Sequence, residues 1–326
     1  MFGIGLIELA LVVVVVLLVV MGCFALATKS RSSKITPAKE WRRVWQLRLL
    51  GIALGLLIAA VLADPATFGT PGDLVALLVP DYGVGTMIAP AGFGLGVLLG
   101  VAAGETIARA PRPSGPRTAS LQPRSLTGYL PGGSSYAVGI GLALLVATLF
   151  LGTLTAQEDG SLGGMRAIGC QTEAFAQARG PYPGSYYAVP LAIMLGIVLL
   201  TALAAAAAVV RRPRGLAATD AGDDELRRRS MTVIVAAVGV AVGASLTGIA
   251  GTAATGLLGL SEDCAPAWMA VVGWLLVPLV FLGFGLAAWS LARLFVNEPL
   301  PPQGRRAHRR ATRRAPPAAH AHAHEW

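Results

Sequence analysis

Two carboxylates fall inside long apolar stretches of this chain, Glu8 in the first and Glu105 near the end of the third. An ionisable group at membrane depth is expensive and is the usual flag for an ion or proton site. Glu8 can be read as a proton or cation ligand, or as a side chain that reaches the near interface or pairs within a bundle; the second is expected. Glu105 stands four residues before Arg109, so an i,i+4 pair on a helix surface is expected. The spans hold no chain of buried Asp, Glu, His and Arg of the kind that ion-coupled pumps use. His320, His322 and His324 form an alternating tract that suits either metal chelation or plain low-complexity sequence, and the second is expected. Cys23, Cys170 and Cys264 show neither a C-x-x-C motif nor zinc-ligand spacing. No G-x-S-x-G, H-E-x-x-H or Walker sequence occurs. The expectation is therefore a protein that is not an enzyme and carries no cofactor and no metal.

The clearest spacing belongs to small residues. Gly239, Gly243, Thr247, Gly251 and Thr255 recur every four residues, as do Gly96, Gly100 and Gly104. Helices in lipid gain little from apolar burial and associate by close packing, which small-xxx-small faces permit. These glycines are read as packing faces inside one bundle, with a homo-oligomer face as the alternative.

The elements that carry these residues are long apolar runs. The chain has 326 residues, 55% hydrophobic and 13% charged. A soluble domain carries about 25% charged residues. Seven segments approach the roughly 20 apolar residues that a span needs. They run 3–27, 45–63, 85–108, 136–156, 187–210, 231–258 and 268–296. The second is the weakest, because its uncharged part begins only after Arg48, and Trp41 and Trp45 precede it as interfacial anchors. The predicted fold is all-α, a seven-helix transmembrane bundle over residues 1–296. The Pro- and Arg-rich tail 297–326 is predicted to be disordered.

Charge sets the orientation. Of the 26 basic residues, 24 fall in alternate connections and the tail, and only Arg166 and Arg179 fall in the others. Those others hold acids instead, among them Asp64, Glu158, Glu173 and Asp263. The positive-inside rule then puts the N-terminus outside and the C-terminus in the cytoplasm. It also argues against a cleaved or lipidated N-terminus, since removing the first span would put the basic cluster 29–48 outside. Cys170 and Cys264 both land on the oxidising side, and a disulfide between them is expected. The net charge of +9 points to anionic lipid head groups at the basic loops and tail rather than to nucleic acid.

Two smaller readings complete the pass. Leu74–Val79 is too short to span and is read as a helix lying in the outer interface, or as a re-entrant element. After the first span the chain reads as three hairpins whose return segments contain Pro90, Pro190 and Pro278. Pro90 and Pro190 are each followed six residues later by glycine, Gly96 and Gly196. That pattern fits an internal repeat or any alternating topology.

The stretch 89–131 reads A-P-A-G-F-G-L-G-V-L-L-G-V-A-A-G-E and, after three residues, R-A-P-R-P-S-G-P-R-T-A-S-L-Q-P-R-S-L-T-G-Y-L-P. It resembles uncharacterised integral membrane proteins of high-GC actinobacteria. The resemblance implies a bacterial plasma membrane and carries no activity or site. The expected role is a non-enzymatic scaffold or accessory subunit of a membrane complex. The rival is a permease or channel-like transporter of a small solute.

Overall fold

With no water in the hydrocarbon to bond backbone N–H and C=O groups, an apolar run in a bilayer closes its own hydrogen bonds as a helix. The computed structural model describes residues 39–64, 83–107, 126–158, 164–171, 176–213, 220–261 and 263–295. Within them lie α1 (Lys39–Ala63), α2 (Val84–Ile107), α3 (Gly132–Thr155), α4 (Ser185–Arg211), α5 (Asp220–Leu258) and α6 (Ala267–Phe295). All six contain a stretch long and apolar enough to cross a membrane. The chain is a multi-pass membrane protein. The segment 3–27 with Glu8, the Leu74–Val79 stretch, Arg109 and its loop, and the tail with its three histidines lie outside the described residues.

The alternate ends of the helices differ in chemistry. One end, here the basic end, gathers Arg48, Arg212, Arg227 and Arg293. The other carries a small sheet, β1 (Gln157–Glu158), β2 (Met165–Gln171) and β3 (Ala176–Arg179), antiparallel in the order β1-β2-β3. The described residues are mostly helical, as expected, and this small sheet is an addition that the all-α expectation did not include. The connection between α3 and α4 lies beyond the apolar windows, where strands can satisfy each other. Ile168, Tyr182, Leu257 and Met269 form an apolar cluster that seats β2 on the ends of α5 and α6. The Tyr182 hydroxyl lies 2.8 Å from Thr155 Oγ1, and Ser261 N–H donates to Gln177 Oε1 at 2.9 Å. Cys170 and Cys264 sit in this layer at disulfide distance, with Cα atoms 5.6 Å apart.

α5 is the axle, with 83% of its apolar window buried against 17% for α6 and 22% for α1. It packs against α2, α3, α4 and α6. α1 packs chiefly on α2, and α6 chiefly on α5. Glycines set both close pairings. A Cβ on Gly51 would lie 2.7 Å from Gly100 Cα, and one on Gly96 would strike the Gly55 backbone. In the other pair a Cβ on Gly243 would lie 2.6 Å from Ala287 N, and one on Gly283 would lie 2.8 Å from Gly243 O. Gly104 is looser, 3.3 Å from Val44 O, while Gly239 is backed by Ser290. Gly251 departs from this ladder: its nearest neighbour would be Val280 Cγ2 at 4.0 Å. Pro90, Pro190 and Pro278 all lie inside helices. Gly96 and Gly196 are not equivalent, since nothing would come within 4 Å of a Cβ on Gly196.

Candidate functional site

The most concentrated polar chemistry at depth is at the basic end, around Glu105. α2 delivers this carboxylate from its last turn, with its residue only 2% exposed. Glu105 Oε1 accepts from Arg48 Nη2 at 3.0 Å and from Ser230 Oγ at 2.6 Å. Glu105 Oε2 accepts from Arg212 Nη1 at 2.6 Å. Arg48 Nη2 also donates to Ser230 Oγ at 2.6 Å. The participants come from α1, α2, the residue following α4, and α5. One carboxylate thus ties its own helix to three segments whose contacting residues are 57 to 125 positions from it.

A second layer supports the first. Arg227, fully buried on α5, donates from Nη2 to the Arg212 carbonyl at 2.8 Å and so fixes where Arg212 stands. Its guanidinium lies 5.9 Å from the centre of the Tyr129 ring, and the Tyr129 hydroxyl donates to Asp224 Oδ1 at 3.0 Å. Asp223, one turn before Arg227, is 2% exposed. α5 can carry these groups because it runs eleven residues beyond the expected start at Met231. Asp220 and Asp223 in its first turn suit the positive end of the helix dipole. Glu225 pairs with Arg229 at 3.4 Å in the favourable i,i+4 sense.

The surface i,i+4 role expected of Glu105 is corrected. The carboxylate is buried, and two guanidiniums and a hydroxyl occupy it. This cluster of one carboxylate and its guanidiniums was not foreseen in the sequence, and it is a closed tie and not a chain of the kind ion-coupled pumps use. In the sequence Arg48 weakens its span, and Arg212 and Arg227 are two of the 24 basic residues in alternate connections, with nothing to mark them as partners of Glu105. The L-R-R-R-S run ending at Ser230, with acids three to four residues before its arginines, was the available signal that the helix begins early.

With two guanidiniums on one carboxylate, an added cation or proton would meet net positive charge. The arrangement is chemically a tie between helices and not an open ligand set. Among the described residues no three His, Cys, Asp or Glu side chains come together as metal ligands. At the opposite end Arg166, 3% exposed, lies 5.2 Å from the Tyr186 ring centre, anchoring β2 to α4. In comparisons with known proteins, no family model, no curated protein and no solved structure matches this chain.

Proposed function

We propose that the chain is a non-enzymatic scaffold or accessory subunit of a bacterial plasma-membrane complex. It has seven spans, an external N-terminus and a cytoplasmic basic end and tail. The observation that carries this reading is the use made of polar residues at depth. Glu105, Arg48, Arg212 and Ser230 are consumed in holding helices together, and glycine contacts close the α1–α2 and α5–α6 pairs at backbone distance. A bundle built this way presents surfaces instead of a substrate path. The large apolar side chains of α6 that face outward, including Trp274, Phe281 and Phe284, are available to lipid or to a membrane partner. The basic loops and tail engage anionic head groups.

The sidedness rests on the 24-to-2 division of basic residues. On that sidedness the cysteine pair at the sheet end faces an oxidising compartment and is a disulfide. The rival transporter reading has one observation in its favour, the prolines inside α2, α4 and α6. Affinity purification of the full chain in mild detergent, with identification of co-purifying proteins, separates the two. A stoichiometric membrane partner is expected. Absence of any partner, together with solute uptake by proteoliposomes of the full chain, would replace the scaffold by the transporter.

A further inference from the structure

Just before α3, at the basic end, the residues 126–130 form a turn that is pinned to the first turns of α5. Tyr129 N–H donates to the Leu126 carbonyl at 3.3 Å and closes the turn. Leu126, Thr127, Gly128 and Leu130 are exposed, whereas Tyr129 is half-buried. The Tyr129 hydroxyl donates to Asp224 Oδ1 at 3.0 Å, and the Arg227 guanidinium lies 5.9 Å from its ring centre. Asp224 and Arg227 stand three residues apart on α5, so one side chain meets two points of a single helix face.

From Arg227 the contacts continue inward without a break. Arg227 is fully buried and donates from Nη2 to the Arg212 carbonyl at 2.8 Å. Arg212 donates from Nη1 to Glu105 Oε2 at 2.6 Å, and both of these side chains are fully buried. Glu105 Oε1 in turn accepts from Arg48 and Ser230. A line of side chains therefore runs from an exposed turn to α1, through α5, the residue after α4, and α2. Each link is directional: hydroxyl to carboxylate or ring to cation, then cation to carbonyl, then cation to carboxylate. In a close-packed interior a displaced guanidinium is not simply rehydrated, so a shift at Arg227 is passed on to Arg212.

We infer that the turn 126–130 is a strap through which the exposed face of the basic end governs the Glu105 tie. The Tyr129 hydroxyl fixes the turn on Asp224. The ring holds Arg227 in the place from which it sets the Arg212 carbonyl. Lifting the turn takes the ring from Arg227 and loosens the tie, and pressing the turn down does the reverse. Such coupling is reciprocal, so a loosened tie must also loosen the turn. The inference rests on the scaffold reading and names a means of its regulation.

Hydrogen–deuterium exchange of the full chain in detergent, read by mass spectrometry, follows the turn at 126–130 and the tie at 102–107 and 206–212 separately. Tyr129→Phe keeps the ring and loses the hydroxyl. It should speed exchange in the turn and leave the tie at the wild-type rate. Tyr129→Leu loses the ring as well and should speed exchange at the tie about two- to fivefold, the range for one cation–π contact. Glu105→Asp keeps the charge and shortens its reach, so it should loosen the tie and speed exchange in the turn. Tyr136→Leu, at an exposed position of the same end, should change neither region. Faster exchange at the tie already in Tyr129→Phe supports the strap with Asp224 as its point of action. A loosened turn with the tie at the wild-type rate in Tyr129→Leu overturns the inference. Should that variant not fold, a loosened tie with the turn at the wild-type rate in Glu105→Asp overturns it instead. Either failure is separate from failure of the scaffold reading, because co-purification does not depend on these rates.

Discussion

At the residue scale, Glu105 shows how far burial changes a side chain's meaning. Exposed, it would make a surface pair worth a few tenths of a kcal/mol. Buried between Arg48 and Arg212, it cannot be removed without stranding charge. Glu105→Gln should destabilise the purified chain by roughly 3–5 kcal/mol, the cost of breaking a buried pair by deleting one partner. Replacing Arg48 and Glu105 together by Met should cost less than the sum of the two single changes. Thermal unfolding in detergent measures both, and strictly additive losses would show that the groups do not couple. The glycines give a graded test. Gly243→Leu should sharply lower folded yield, because Ala287 N and Gly283 O stand within 2.7 Å of its would-be Cβ. Gly251→Leu should be far milder, since its nearest neighbour is at 4.0 Å. Equal yields, read by size-exclusion chromatography, would count against the α5–α6 contact.

At the scale of elements, the apolar runs were plain in the sequence. α2, α3, α4 and α6 begin and end within a few residues of the expected spans. The misses have physical causes. α5 starts at Asp220 because its first turns are held by ion pairs and burial, which hydropathy does not register. The strands β1–β3 are short and lack alternation, so their pairing depends on a layer assembled from distant segments. Gly51 and Gly55 form a small-xxx-small pair inside the weakest span, and they receive Gly100 and Gly96. The tie around Glu105 was illegible for the same reason: its members are individually ordinary, and only the tertiary fold brings them together. The cysteine pair closes a separation of 94 residues. Chain entropy credits such a closure with about 4–5 kcal/mol at most, and less when the unfolded chain remains in a bilayer. Cys264→Ser should therefore lower the unfolding temperature, and dithiothreitol should lower that of wild type to match. A digest without reductant should contain the linked peptide; free thiols at both positions would exclude it.

At the scale of the whole molecule, α5 makes the bundle a hub with spokes. Its 39 residues are about 58 Å long at 1.5 Å per residue, against a hydrocarbon thickness of about 30 Å. The surplus places the start of α5, with Tyr129 and Arg227, beyond the apolar layer at the basic end. Reporter fusions at Ser114, Leu216 and Arg310 should read cytoplasmic, and those at Asp73, Gly160 and Glu262 external. A cytoplasmic reading at Glu262 would invert the proposed orientation of α5 and α6.

The tie at Glu105 also carries a clock. A nascent chain emerges from its N-terminus, so α1 and α2 are made before the rest. Arg48 and Glu105 can meet first, as a neutral pair held by the Gly51–Gly100 and Gly55–Gly96 contacts. Arg212 follows when α4 is complete, and Ser230 closes the set only when the hub helix arrives. Until then Glu105 Oε1 lacks one of its donors and Arg212 lacks the brace from Arg227. A chain ending before residue 227 would therefore lack both the Ser230 donor to Glu105 and the Arg227 brace on Arg212.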